Sequence, residues 1–246
     1  MSSYAEKRNA MRRPGGSSPA ASRALGIAIA LLLLDSVIEL SLISATVAWL
    51  NRVVTQRPFY FRSGADTYAL SGVPSHLLVD QGHTSNGAAG TAFVLTGLGG
   101  VLALVLRSRA QYGSRGGFAA FSRGVYYLWL ALNIPALLLT MGALGYVFTV
   151  TNANRHSIDA TVAAGLDGSP YPLHTWTPQT WFDAVRKLDL TERRDEVQTH
   201  VNVIWGWQWN LIPLFLLQLF ETMVAVWEFL GWRRQTQQMG YNTPGA

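Results

Sequence analysis

The chain has 246 residues, of which 49% are hydrophobic and 13% are charged. A soluble domain carries about 25% charged residues, so this composition indicates a membrane protein. The chain contains no cysteine, which excludes disulfides and thiolate metal sites. Its net charge of +5 does not indicate nucleic-acid binding, because the basic residues flank apolar stretches, as membrane orientation requires. We therefore expect the lipid bilayer as a partner, and no nucleic acid.

Four apolar stretches are long enough to cross a membrane, which requires about 20 residues for roughly 30 Å of hydrocarbon. They cover about residues 24–50, 88–106, 124–150 and 205–232. Residues 1–23 are polar and basic and predict a disordered tail, and residues 233–246 predict a cytoplasmic tail. We predict an all-α membrane fold, in which residues 24–232 form a four-transmembrane-helix bundle.

Two long polar segments connect these stretches. Residues 51–87 join the first stretch to the second, and residues 151–204 join the third to the fourth. The second segment contains a helix signature, because Thr177-Pro178 provides an N-cap and a first turn, and Trp181 and Val185 follow on one face. We expect a short amphipathic helix there, which either lies on the membrane surface or packs on the other loop.

Basic residues predict the orientation of the chain. The short loop at residues 107–123 has four arginines and no acid, and short loops follow the positive-inside bias best. This loop lies on the same side as both termini, since four spans return the chain to the side where it began. We therefore predict that both termini are cytoplasmic and that the two long loops are not.

A row of small residues recurs along the second stretch. Ala92, Thr96 and Gly100 are four residues apart and share one helix face. Such a row allows a neighbouring backbone to approach closely. We expect it to be a packing seam in the bundle.

Acidic residues inside the apolar stretches are the candidate site. Asp35 and Glu39 share one face near the middle of the first stretch. Glu221 and Glu228 lie in the fourth stretch, where they form one polar stripe with Asn210. No Lys or Arg lies inside a predicted span to pair with them. Intramembrane carboxylates of this kind are either functional or part of an interhelical hydrogen-bond network. Glu228, near the predicted cytoplasmic edge, is expected to snorkel.

We expect the first stretch to insert into a membrane only if the cost of burying its two acids is offset. Two acids near a helix centre cost about 5–7 kcal/mol, and its fourteen Leu, Ile and Val residues return about 0.3–0.6 kcal/mol each, a similar total. Relief is available from protonation, from a bound cation or water, or from hydrogen bonds. We predict that the acid face meets polar residues on other helices. The candidates are Asn133, Thr96, Gln218 and the Asn210–Glu221 stripe.

Three functions remain open. The preferred one is a non-enzymatic membrane protein that organises lipid or protein partners through its outer loops, with a homo-oligomer or another membrane protein as a candidate partner. The second is a cyclase- or oxygenase-like membrane enzyme that acts on an apolar small molecule with Asp35, Glu39 or Glu221 as acid or base. The third is a proton- or cation-coupled transporter or channel subunit. No Gly-rich phosphate loop or His-Glu-x-x-His motif occurs, and we predict no cofactor and no metal.

One region carries a family resemblance. The run TWTPQTWF at 175–182, followed by WGWQWN at 205–210, resembles fungal four-span integral membrane proteins of unassigned function. By span count alone, the layout is also similar to that of claudin-like and tetraspan proteins. The resemblance implies a multi-pass membrane protein with four spans and transfers no catalytic residue.

Overall fold

Four long apolar helices dominate the structure, a computed structural model that describes residues 19–113 and 116–241. Within those residues four helical segments are long and apolar enough to cross a membrane. They are Ala20–Arg52, Asp80–Ala110, Gly117–Ala153 and Arg194–Arg234. In chain order the elements are α1 (Pro19–Trp49), a π-helical segment (Leu50–Val54), β1 (Phe59–Ser63), β2 (Asp66–Leu70), α2 (Asp80–Thr91), a second π-helical segment (Ala92–Leu98), α3 (Gly99–Gly113), α4 (Gly117–Ala153), α5 (Ala160–Ala164), α6 (Pro178–Arg186) and α7 (Arg194–Tyr241).

The long helices lie where the apolar stretches predict them but extend further. α1 begins at Pro19, so the last residues assigned to the disordered tail are helical. α2 begins at Asp80, eight residues before the predicted span, and α7 continues to Tyr241 in the predicted tail. Hydropathy marks where a helix becomes apolar, not where it begins. The rest of both tails and of the Arg-rich loop lies outside the described residues, at 1–18, 114–115 and 242–246.

The helix α4 presents one narrow stripe to the bundle. Its buried residues are Ser122, Tyr126, Trp129, Asn133, Ala136, Thr140, Ala143, Val147 and Thr151. Most are spaced alternately by four and three residues, the spacing of helices that pack knobs into holes. The outward face is apolar, with Leu128 61% exposed and Leu138 55% exposed. Polar residues inside and apolar residues outside are the arrangement expected of a bundle in lipid.

The predicted small-residue seam is confirmed. Ala92, Thr96 and Gly100 are all buried. A Cβ atom built on Gly100 would lie 2.8 Å from Ile29 Cδ1 and 3.0 Å from Trp129 Cζ2. Only glycine therefore lets α3 approach both α1 and α4 at this point.

Gly100→Ala is expected to destabilise the bundle by about 1–3 kcal/mol, because the added methyl group overpacks the seam. Gly142→Ala is the matched control, since nothing lies within 4 Å of a Cβ at that position on α4. The control should be neutral or stabilising by up to about 1 kcal/mol through helix propensity. The measurement is the free energy of unfolding in detergent micelles. Equal free energies of unfolding for the two variants would contradict a packing seam at Gly100.

The two long connections fold together into a cap at one end of the bundle. We define the cap as residues 55–79 and 154–193, which include β1, β2, α5 and α6, together with the first turns of α7. We call the opposite end of the bundle the Arg-rich end. The cap has its own hydrophobic core. Its largest fully buried side chains are Trp176, Trp181, Tyr171, Phe59, Phe61 and Phe182. Trp49 of α1 and Ile204 of α7 belong to the same core, so the cap is continuous with the bundle.

The β-hairpin corrects the all-α prediction. β1 and β2 pair antiparallel, with Phe59 opposite Leu70. The hairpin is tied to the second connection, because the amide of Arg62 donates to the carbonyl of Asp189 at 2.8 Å. The five-residue strands have too few apolar positions to stand out in the sequence.

The amphipathic helix of the second connection occupies α6. Thr177 caps it, since its side chain accepts a hydrogen bond from the amide of Thr180. Trp181 and Val185 on its apolar face are buried in the cap core. Of the two placements that the sequence allowed, the structure has the one in which this helix packs on the other loop.

Candidate functional site within the helix bundle

Polar side chains of α7, all buried except the half-buried Asn210, form a column through the bundle, which we call the polar column. It runs from Asn210 to Glu228, 18 residues or about 27 Å along the helix. This length is close to the roughly 30 Å of hydrocarbon in a bilayer. Between them Gln218, Glu221 and Thr222 are buried. The other helices supply partners at four levels.

The level nearest the cap contains the two acids of α1. Glu39 is fully buried, and its Oε1 accepts a hydrogen bond of 2.7 Å from Ser85 Oγ of α2. Asp35, one turn away, is half-buried. Asn210 faces both carboxyl groups, although its Nδ2 makes no hydrogen bond of good geometry within the described residues. The predicted contact between the acid face and Asn210 is therefore confirmed. Ser85 was missed because it falls in the predicted loop.

The next level is a neutral network around Gln218. Thr140 Oγ1 of α4 donates to Gln218 Oε1 at 2.5 Å, and Gln218 Nε2 lies 3.4 Å from Thr96 Oγ1. Trp129 Nε1 donates to the carbonyl of Thr96 at 3.0 Å, inside the π-helical segment. The sequence offered Thr96 and Gln218 as partners for the acids of α1, but the structure pairs them with each other.

Glu221 lies one turn further along α7. It is fully buried, and its Oε1 accepts a long hydrogen bond of 3.4 Å from Asn133 Nδ2 of α4. Glu221 Oε2 and Asn133 Oδ1 have no hydrogen-bond partner among the described residues. The sequence placed Asn133 among the partners of the α1 acids, whereas its partner here is the carboxyl group of α7.

At the Arg-rich end, Glu228 joins all four long helices. Its carboxylate accepts from Arg107 Nη1 of α3 at 2.8 Å and from the Tyr126 hydroxyl of α4 at 2.6 Å. Ser22 Oγ of α1 lies 3.5 Å away. The guanidinium of Arg107 stands over the Tyr126 ring, 4.8 Å from its centroid, and 5.6 Å from that of Trp232.

This ion pair overturns the expectation that Glu228 snorkels at the membrane edge. It also gives this acid a basic partner from outside the predicted spans, none of which contains Lys or Arg. The Glu228 side chain is fully buried, and the Arg107 side chain is 15% exposed. Arg107 is the first residue after the predicted span, and α3 continues past it, which brings it onto the bundle. A basic residue directly beside the end of a predicted span, as Arg107 is, is the sequence signal that could have indicated this ion pair.

Three cavities adjoin the bundle. The first, of about 630 Å³, lies between the end of α1, the start of α2 and Trp207. The second, of about 240 Å³, adjoins Arg107 and Tyr126, and the third, of about 440 Å³, lies on the outer surface beside Leu219. None of these three is lined by Asp35, Glu39 or Glu221. Glu39 and Glu221 instead contact side chains on other helices.

No family model, no curated protein and no solved structure matches this chain. The resemblance to fungal four-span proteins, and the likeness of layout to claudin-like and tetraspan proteins, therefore stay predictions. The chain is mostly helical, and four of its helices are long and apolar enough to span a membrane.

Proposed function

We propose that this chain is a multi-pass membrane protein that organises lipid or protein partners, with both termini in the cytoplasm and the cap on the other side. The orientation follows from the basic residues at the Arg-rich end, which include Arg109, Arg123 and Arg233 on the described surface. The cap then presents a folded, non-cytoplasmic surface on which partners can assemble.

The observation that carries this proposal is the placement of the membrane acids. Glu39 and Glu221 each bond to a side chain on another helix, and neither lines one of the three cavities. Interhelical hydrogen bonds of this kind fix helix packing, with about 0.6 kcal/mol on average for each. Several such bonds together hold the helices in one fixed arrangement, which can serve as a scaffold for partners. An acid–base catalyst would instead need room for its substrate beside the carboxyl group.

A second candidate function is proton or cation handling, and a different observation favours it. Asp35 Oδ2, Glu39 Oε2 and Glu221 Oε2 have no hydrogen-bond partner within the described part of the chain. An unpaired buried acceptor costs about 1–3 kcal/mol, and a proton or a cation on each carboxyl group would relieve that cost. Such a column would then serve a transporter or channel subunit.

A flux measurement separates the two functions. We expect the double variant Asp35→Asn with Glu39→Gln to lower the thermal midpoint in detergent, because its new amide donors would face the Nδ2 donor of Asn210. Asp66→Asn, in the exposed hairpin, is the control and should not change the thermal midpoint.

Liposomes that contain the wild-type chain and a pH-sensitive dye should conduct no more protons than empty liposomes. Proton flux in the wild type that the double variant abolishes would overturn the organising function and establish the second candidate.

A further inference from the structure

The cavity of about 630 Å³ lies where the cap meets the bundle. Its volume is within the range of small-molecule sites, about 300–1,000 Å³. Val47 of α1 and Val79 before α2 are on its wall, and they are 45% and 43% exposed. The mouth of the cavity therefore lies on the outer surface of the bundle, at the level where α1 leaves the predicted membrane span.

The wall of the cavity runs along α1 and the π-helical segment that follows it. Ile43, Val47 and Ala48 give this wall apolar surface, and the short hydroxyl side chains of Ser44 and Thr46 lie among them. Asn51 and the basic Arg52 line the part nearest the cap. From Ile43 to Arg52 the helix rises about 13 Å. An occupant that matches this wall has an apolar chain directed into the membrane and a polar group directed to the boundary.

Two of the polar side chains that line the cavity are basic, beside amide and hydroxyl groups that can both donate and accept. Arg52 and His83 line it, no Asp or Glu does, and none of the ion pairs in the described residues involves Arg52. Trp207 is a third donor of a different kind. It lines the cavity and is 98% buried, and its Nε1 has no hydrogen-bond partner in the described part of the chain. A buried donor without a partner costs about 1–3 kcal/mol, so an acceptor on a ligand would relieve it.

Gly82, His83 and Asn86 come from the first two turns of α2, so the N-terminal end of this helix also faces the cavity. Asp80 in the first turn offsets part of the positive charge of the helix dipole there. The basic side chains and the indole N–H of the cavity favour a negative acceptor group, and a phosphate diester supplies one. A choline or ethanolamine headgroup would bring a second positive charge beside Arg52.

We propose that this cavity binds one phospholipid with an anionic headgroup from the non-cytoplasmic leaflet. Its phosphate is held by Arg52, His83 and the Trp207 N–H, and one acyl chain lies along Ile43 and Val47. This site rests on the membrane placement under Proposed function and specifies lipid as one of the partners that the chain organises.

Native mass spectrometry of the purified full chain in detergent tests the site, with dioleoyl phosphatidylglycerol and dioleoyl phosphatidylcholine as probes. We expect one phosphatidylglycerol to bind at least about tenfold more tightly than phosphatidylcholine. Arg52→Ala should weaken phosphatidylglycerol binding about tenfold, because a hydrogen bond to a charged group is lost. Arg62→Ala is the matched control, since Arg62 is exposed on the hairpin and does not line the cavity.

Trp207→Phe keeps an aromatic ring in the bundle and removes only the N–H, so it should weaken binding severalfold without a change in thermal midpoint. Equal affinity for the two lipids, or an Arg52→Ala variant that binds like wild type, would overturn the proposal. Glycerol 1-phosphate should compete only weakly, and full competition would show a soluble phosphate site instead of a lipid site. The flux measurement does not depend on lipid choice, so failure here leaves the organising function standing.

Discussion

Arg107→Ala is expected to destabilise the protein by about 3–5 kcal/mol. The substitution removes the cationic partner of Glu228, whose side chain is fully buried and 2.8 Å from Arg107 Nη1. A buried carboxylate that loses its cationic partner is left with an uncompensated negative charge, which the Tyr126 hydroxyl offsets only in part. The measurement is the free energy of unfolding, from sodium dodecyl sulfate titration in mixed micelles.

Arg109→Ala is the matched control for this ion pair. Arg109 is two residues away on α3 and exposed, and its loss should change stability by no more than about 0.5 kcal/mol. A double variant, Arg107→Met with Glu228→Leu, should recover most of the loss, because an apolar pair often replaces a buried ion pair at little cost. Recovery will be incomplete, since the Tyr126 hydroxyl also donates to Glu228. An Arg107→Ala variant as stable as Arg109→Ala would contradict the structural role of the pair.

The sequence predicts the long helices well because length and apolar content are local properties. The seam at Gly100 and the contact of Asn210 with Asp35 and Glu39 were also predictable, since helical periodicity places residues on faces. Periodicity does not tell which helix faces which, however. The sequence therefore offers Thr96, Gln218 and Asn133 as partners of the α1 acids, whereas in the structure Thr96 and Gln218 bond to each other and Asn133 bonds to Glu221.

Features that depend on contacts between distant segments were missed. Residues 80–87 are polar and were predicted as loop, yet they form the start of α2, where Ser85 bonds to Glu39 and Gln81 Nε2 donates to Gln179 Oε1 at 3.0 Å. Their helical state depends on partners far away in the chain. The β-hairpin was missed for the same reason, because its buried residues obtain their apolar surroundings from α6 and α7.

Trp181→Ala is the second variant with a large expected effect, about 3–5 kcal/mol in the stability of the cap. Trp181 is fully buried, its ring centroid is 5.2 Å from that of Trp176, and its Nε1 donates to the carbonyl of Gly72 at 2.9 Å. Gly72 can take this position because it has no side chain, since a Cβ there would overlap the carbonyl of Val54. One tryptophan thus ties α6 to the segment that follows the hairpin.

Hydrogen exchange on the full chain in detergent measures this effect by segment. Trp181→Ala should raise exchange in β1, β2 and α6, while α4, which does not belong to the cap core, keeps its protection. Trp227→Ala is the control, because Trp227 is 56% exposed at the other end of α7. Trp49 of α1 belongs to the cap core and its Nε1 donates to Glu196 of α7 at 2.7 Å, so the ends of α1 and α7 should loosen together with the cap. Unchanged exchange in these two helix ends would mean that the cap folds as a unit separate from the bundle.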